Sequence, residues 1–300
     1  MLAEIERAAD RIGPAVLRTP LVRAGDLWLK AESLQRVGSF KIRGATNAVM
    51  ALRPRGVVTH SSGNHGQALA YAAREAGIEC VVVVPEGTPS VKMEAIKAWG
   101  AELAVVPRGD RHSAAAEVAA GRDLTLIPPY DHPLVVAGQG TIGLEILRDL
   151  PDVEVVLVPV SGGGLASGIA AAVKSLASGV KVLGVEPELA ADTAESLAVG
   201  HLVRWDDERR FRTIADGLRA EPSELTFGLL RDHLDGMLTV TEDEIRAAMR
   251  HLARRARLVA EPSGAVATAA YLSGRAPRGR TVAVVSGGNV DPALFSEVLA

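Results

Sequence analysis

The chain has 300 residues, is 48% hydrophobic with only 3% aromatics, and carries a formal net charge of −3. So small an imbalance, with no basic run interleaved with aromatics, argues against nucleic acid or a membrane surface as partner, and nowhere do enough apolar residues run together to span a bilayer. The single cysteine, Cys80, excludes an intramolecular disulfide and a Cys-rich metal site, and its place at the head of Cys80-Val-Val-Val-Val84 predicts a buried structural thiol.

This length suits one large or two intimate domains, and a core of Val, Ala, Leu and Ile suits buried parallel strands under Ala-rich helices. Met-Leu-Ala-Glu-Ile-Glu-Arg reads as an amphipathic helix without a signal-peptide core, so a cytoplasmic protein is expected. Arg18-Thr-Pro-Leu21 predicts a turn into a short strand over 27–31. Ser39 stands where it could cap a helix starting near Lys41 and stopped by Pro54 and Gly56. A strand over 57–60, the loop Ser61–Gly66 and a helix to about Gly77 begin an alternation. It continues with strand 81–84, helix 90–99, strand 103–106, helix 113–120 and strand 124–127.

A second series starts with a helix over 134–150, entered at Asp131-His-Pro. It runs through strand 155–158, loop Ser161–Gly164, helix 165–177 and strand 182–185. After a less regular region, 186–222, Thr241-Glu-Asp-Glu244 is a capping box opening a helix to about Arg257. A helix over 264–273 and a strand over 282–285 lead to Ser286-Gly-Gly-Asn289, and no C-terminal effector-binding module is expected after Ala300. Strand and helix in turn imply right-handed crossovers and parallel sheets, an α/β fold.

Lys41, within Gly38-Ser-Phe-Lys-Ile-Arg-Gly-Ala45, sits among small and apolar residues. A lysine ammonium loses its proton readily when desolvated, and a neutral amine in a dry pocket can form an imine with a carbonyl. Lys41 is therefore a candidate Schiff-base lysine; the ordinary alternative is a solvated helix start. Four loops lie where a strand or turn hands over to a helix, the place where open parallel sheets bind ligands. Ser161-Gly-Gly-Gly-Leu165 offers consecutive N–H groups at a helix N-terminus and can hold a phosphate. A dinucleotide fingerprint is the rival, because Glu186 ends the next strand; yet, counting from Gly162, Ser167 occupies the third glycine position. Ser61-Ser-Gly-Asn-His-Gly-Gln67 could hold a carboxylate by the same physics, although Ser and Asn also serve turns and caps. Glu186-Pro-Glu-Leu-Ala-Ala-Asp192 supplies hard oxygen ligands suited to Mg²⁺ or Ca²⁺, although two acids in a loop are usually just solvated.

Taken together, Lys30-Ala-Glu-Ser-Leu-Gln35, the Lys41 motif and the Gly-rich loops resemble the fold-type II pyridoxal-phosphate (PLP) enzymes of the threonine dehydratase and serine racemase family, from Arg18 to Asp291. The resemblance implies two doubly wound parallel-sheet domains of the tryptophan-synthase-β-like type. Residues 1–55 and 134–300 would form a large PLP-binding domain and 56–133 a small substrate-loop domain, in a homodimer. It implies PLP on Phe40 and Lys41, with Asn64 at the 3-hydroxyl, Gly162, Gly163, Gly164 and Leu165 at the phosphate, Gly217 against the ring and Ser286 at the pyridine nitrogen. The amino-acid substrate would be gripped by Ser61, Ser62, Gly63, Asn64 and His65, with Ser62 facing the cofactor opposite the lysine. A divalent cation, Mg²⁺ or else Ca²⁺ or Mn²⁺, would take Glu186, the Ala190 carbonyl and Asp192. Thr213-Ile-Ala-Asp-Gly217 and Glu261-Pro-Ser-Gly264 also match segments near the cofactor. Val37 departs from the usual threonine, and the stretches around 22–28 and 53–56 look shortened, which bears on the pocket rim.

A serine hydroxyl cannot hold the pyridine nitrogen protonated as a carboxylate would, which favours prompt loss of a β-leaving group over transamination. The expected activity is dehydration and deamination of L-threonine or L-serine to a 2-oxo acid and ammonia, with Lys41 as the base. The alternatives are a serine or aspartate racemase in which Ser62 reprotonates the α-carbon, a nucleotide-binding oxidoreductase using the Gly162 loop and Glu186, and a silent PLP-binding protein, which intact Lys41, Ser62 and Ser286 disfavour.

Overall fold

The computed structural model describes residues 1–107 and 109–300. After α1 (Leu2–Ile12), β1 (Leu21–Ala24) and β2 (Leu27–Ala31) pair antiparallel, so the predicted turn and single strand form a hairpin with Gly25 at φ +66°. The helix α2 (Lys41–Leu52) leads into β3 (Gly56–Thr59), α3 (Asn64–Ala76), β4 (Glu79–Pro85), α4 (Ser90–Lys97), β5 (Glu102–Val106), α5 (Arg111–Arg122) and β6 (Thr125–Leu126). These strands make a four-stranded parallel sheet in the order β5-β4-β3-β6.

The chain then runs through α6 (Pro133–Asp149), β7 (Val155–Pro159), α7 (Gly164–Leu176), β8 (Lys181–Pro187), α8 (Asp192–Val199), α9 (Asp207–Arg210) and α10 (Glu224–His233). It ends with β9 (Gly236–Val240), α11 (Glu242–His251), α12 (Pro262–Leu272), β10 (Thr281–Val285) and α13 (Pro292–Leu299). The second sheet has the order β1-β2-β10-β7-β8-β9 and is parallel apart from the β1 pairing. The fold is thus α/β, with two mainly parallel sheets in two domains, as the alternation predicts. Central strands are covered on both faces, which is why Val81–Val84 and Val282–Val285 are continuous apolar runs rather than alternating ones. Cys80 is buried at the start of such a run, and burial pushes its thiol up to about 12, out of reach of reaction at neutral pH.

One sequence expectation is corrected, and a second holds in extent but changes in type. Ser39 does not cap α2: Phe40 takes the N-cap position, residue 39 pairs its backbone with Gly287, and the Ser39 hydroxyl is buried without a partner among the described residues. The helix from the Thr241 capping box stops at His251 and continues as a single π turn, Leu252–Ala256, which Arg257 ends in a left-handed conformation at φ 58°.

Close helix packing fixes α2, and with it Lys41. A Cβ on Gly138 of α6 would lie 2.6 Å from the Gly44 Cα of α2, so only glycines let the two backbones touch there. A buried ion cluster then sets the rotation of α2. Arg43 is 1% exposed and makes a bidentate pair with Glu32 at 2.8 Å for both bonds, while Nη1 donates to Glu145 of α6 at 2.7 Å. Lys30 Nζ donates to the same Glu145 and to the Thr19 carbonyl, each at 2.6 Å. Two cations meet two carboxylates, so α2 is tied to β2 and α6 without leaving a buried charge unmatched.

Candidate active site

Lys41 is the first residue of α2, and the segment before it is bound to the exit of β10. Phe40 N–H donates to the Ser286 carbonyl at 3.0 Å and Gly288 N–H to the Gly38 carbonyl at 2.8 Å. Gly38 adopts φ +72°, where a Cβ would lie 2.2 Å from Asn289 Oδ1. The lysine turn and the serine–glycine turn are therefore one unit at the carboxyl edge of the larger sheet.

The Lys41 ammonium has no carboxylate partner among the described residues. Its Nζ donates to the Pro129 carbonyl at 2.7 Å and lies 5.1 Å from the Phe40 ring. Desolvation alone lowers its pKa to about 8, so a neutral amine is accessible near physiological pH.

From the other sheet, β3 delivers the loop 61–63 to the start of α3. Ser61, Ser62, Gly63 and Asn64 are all partly exposed, and Gly63 provides no side-chain cap, so the first amides of α3 remain open to an anion. His65 differs from its neighbours: it is 1% exposed and its Nε2 lies 2.9 Å from the Ile127 carbonyl. Burial and then the nearby Lys41 charge push its pKa down to about 3, so the ring is neutral, donates from Nε2 and anchors the loop to the end of β6.

The Gly162–Gly164 turn lies between β7 and α7. A Cβ on Gly162 would sit 2.4 Å from the Tyr130 ring, and one on Gly163, at φ +86°, would meet Thr226 at 2.8 Å. The Gly162 and Gly163 amides donate to no protein acceptor among the described residues. Ser161 Oγ holds the turn in place by accepting the Ala220 N–H at 3.0 Å. Such a cradle of unspent amides, at the N-terminus of a 13-residue helix, fits a phosphate. Gly217 N–H donates to Ser263 Oγ at 2.9 Å, and the Ser286 hydroxyl, 4% exposed, lies 3.4 Å from the Ser263 carbonyl. A desolvated lysine, a glycine cradle and a buried hydroxyl at one sheet edge fit the three ends of pyridoxal phosphate.

The acidic loop forms a separate cluster. Glu186, at the end of β8, accepts the Thr193 and Ala194 N–H groups at 3.2 and 2.8 Å and so caps α8. Asp192 is 1% exposed and its Oδ2 has no partner among the described residues. Burial, with Asp192 as a second cause, raises Glu186 to about 8, and burial raises Asp192 to about 6. The Ala190 residue between them is buried, and no group of three His, Cys, Asp or Glu side chains gathers among the described residues.

Sequence reading leaves four features without a role: Tyr130, Glu261, Asn289 and the Arg43 ion cluster. Tyr130 has a positional signal, since Pro128-Pro129-Tyr130 follows the carboxyl end of β6, but nothing in its composition marks it. Glu261 lies in a segment matched to the family, and its partner 197 positions away is visible only in three dimensions.

Comparison with known proteins agrees with this geometry. The family described as pyridoxal-phosphate dependent enzyme matches residues 12–287. A catabolic L-threonine dehydratase of Staphylococcus aureus is 39% identical over 321 residues, covering 99% of this chain and 91% of its own. A crystal structure of the T.th. threonine deaminase superposes with a TM-score of 0.92 at 43% identity, over 97% of this chain and 98% of the other. The serine racemase of Dictyostelium discoideum superposes with a TM-score of 0.90 at 39% identity, over 97% and 99% of the two chains.

Proposed function

The chain belongs to the pyridoxal-phosphate dependent enzyme family, and from that premise we propose that it is an ammonia-lyase that dehydrates and deaminates L-threonine and L-serine. The observation that carries the reading is the Lys41 amine, desolvated to a pKa of about 8 and hydrogen-bonded to a carbonyl instead of a carboxylate. Bound here, pyridoxal phosphate would supply a carbonyl that joins to amines and a ring that accepts negative charge from the substrate α-carbon. Lys41 would hold it; the Gly162–Leu165 amides would carry its phosphate, and Asn64 and Ser286 would meet the ring oxygen and nitrogen.

What the chain itself contributes is binding and proton handling. Lys41, with its pKa lowered by burial to about 8, would be the base that takes the α-proton near neutrality. The open amides at the start of α3 receive the substrate carboxylate. Ser286, as a neutral donor, would leave the nitrogen of a bound ring unprotonated, which would favour expulsion of the β-hydroxyl over long-lived charge at the α-carbon. His65 is pinned to Ile127 as a neutral donor, so it supports this loop and takes no part in proton transfer. Residues 56–133 are read as the body that carries the loop over a cofactor-binding body made of 1–55 and 134–300, in a homodimer.

Racemisation is the second reading. Ser62 would carry it: a hydroxyl in the α3 loop, which the family resemblance sets opposite the lysine, could return a proton to the other face of the α-carbon. The serine racemase similarity points the same way. Glu186, the Ala190 carbonyl and Asp192 would hold a divalent cation, whose contribution would be to neutralise two buried acids that have no ion pair among the described residues.

The test is incubation with L-serine, L-threonine, D-serine and hydroxyaspartate, with and without Mg²⁺, while 2-oxo acid and enantiomer are measured together. Oxo acid from the L-substrates supports the lyase; enantiomer in excess of oxo acid favours the racemase. No borohydride-trapped label on Lys41 in excess pyridoxal phosphate would end both.

A further inference from the structure

Glu261 is a buried carboxylate that pairs with no cation among the described residues. It stands at the N-cap of α12, 6% exposed, yet it caps none of that helix's amides. Its Oε1 instead accepts the Asn64 Nδ2–H at 2.6 Å, reaching the loop that opens α3. On the other side of the same amide, Asn64 Oδ1 accepts an N–H from Asn289 at 2.8 Å, and Asn289 Nδ2 also donates to the Val37 carbonyl at 2.8 Å.

The polarity of this chain of bonds is forced. The Val37 carbonyl can only accept, so the Asn289 nitrogen faces it and offers its second N–H to Asn64. An ionised carboxylate can only accept, so Asn64 turns its nitrogen to Glu261 and its oxygen to Asn289. One Asn64 N–H is left unspent. The 286–289 turn is shaped around the carboxylate: a Cβ on Gly287 would lie 2.1 Å from Glu261 Oε1, and Glu261 N–H donates to the Gly287 carbonyl at 3.1 Å.

We propose that Glu261 and Asn289 are positioning residues for Asn64, locking its amide so that the remaining N–H, and not the carbonyl oxygen, is presented to the cofactor's ring oxygen. The inference rests on the assignment of Asn64 to the cofactor made above. An unclamped asparagine can rotate its amide end for end, and in half of those poses oxygen would face oxygen. The clamp also ties the α3 loop to α12, so the donor is aligned only while the two sheets are docked on one another.

Burial, followed by the Asp216 charge, raises Glu261 to about 7, with Asn64 and the more distant Lys92 pulling the other way. Lys92 and Asp216 are themselves paired at 2.5 Å. Around neutrality the clamp therefore gains or loses its charge-assisted bond.

Glu261→Ala, Glu261→Gln and Asn289→Ala, each loaded with pyridoxal phosphate, test this by the visible band of the lysine-bound cofactor across neutral pH, by hydrogen exchange in residues 61–67, and by kcat/KM. Glu261→Ala is expected to displace the band and lose roughly tenfold or more in kcat/KM, the worth of one charge-assisted hydrogen bond. Glu261→Gln, which keeps an acceptor, should restore band and rate but abolish the neutral-pH change of the band. Asn289→Ala should speed exchange in the loop. A Glu261→Ala enzyme with the parent band, pH profile and a rate within about twofold overturns the proposal; if that variant does not fold, an unchanged pH profile in Glu261→Gln does so. Borohydride labelling of the parent at Lys41 keeps the two readings apart: without it the cofactor assignment fails, and with it only the clamp is at stake.

Discussion

Lys30 and Lys41 flank the same turn and enter the same interior, yet the structure treats them in opposite ways. Lys30 is completely buried and has a carboxylate at 2.6 Å within a cluster whose charges balance. Lys41 has only a carbonyl, and its proton is loosely held. The acids repeat the contrast: Glu32 grips Arg43, whereas burial pushes Glu186, Asp192 and Glu261, none of them ion-paired among the described residues, toward neutrality. A buried charge with its partner is scaffold; a buried charge without one marks a place where the protein expects something else to arrive.

The comparison breaks most sharply if Lys41 is removed. Lys41→Ala should lower turnover on the order of 10⁴-fold, the upper end of what a positioned base supplies, while folding stability stays level or rises because a desolvated ammonium is gone. Steady-state kinetics and urea midpoints measure both, and a large loss of stability would mean Lys41 belongs with Lys30.

Next comes the paired side. Arg43→Ala leaves Glu32 buried with no guanidinium, and breaking a buried pair from one side costs ~3–5 kcal/mol. Urea unfolding should show that loss. A loss below ~1 kcal/mol would mean that the cluster behaves as a solvated surface pair. Because α2 begins at Lys41, borohydride labelling should weaken as well.

Titration sharpens the same contrast. The Lys41 amine loses its proton at about 8 when folded and at the ordinary 10.5 when unfolded, so between those values the unfolded chain binds the extra proton. Unfolding free energy of the cofactor-free protein should therefore rise with pH across that window, by on the order of 2–3 kcal/mol, and Lys41→Met should lack the rise. Identical slopes for the two proteins would remove the case for a desolvated amine.

How far the sequence reveals all this depends on the range of the interaction involved. Alternation of apolar strands and Ala-rich helices is enough for the two sheets, and the loops at strand ends stand out because glycine and serine runs interrupt strong patterns. The β1 strand escapes the pattern because its partner is a hairpin neighbour and its own four residues have a mixed burial pattern. Ser39 reads as a cap because local propensity favours serine there, whereas a backbone bridge to Gly287 takes the position first. His65 sits inside the loop motif yet turns away to Ile127, and no spacing rule shows which way a ring points. The Glu261–Asn64–Asn289 chain joins residues that only the docking of two sheets brings together.

The smallest expected effect concerns the acids without a partner. Glu186 titrates at about 8 and Asp192 at about 6 in the folded protein, both above their ordinary values, so the native state binds more protons than the unfolded chain over that interval. Their contribution to stability is full at pH values below the ordinary carboxylate range and fades as pH climbs toward 8. A divalent cation would compete with those protons. At ten times its dissociation constant, Mg²⁺ should stabilise the protein by about 1.4 kcal/mol at alkaline pH, and by much less in acid, where the acids are protonated. Thermal unfolding of the parent and of Asp192→Asn, with and without Mg²⁺ at both pH values, measures the difference. If the parent and the variant respond alike, the two acids are a proton-bearing part of the scaffold, and the division between partnered and unpartnered charge holds for Lys41 but not for this loop.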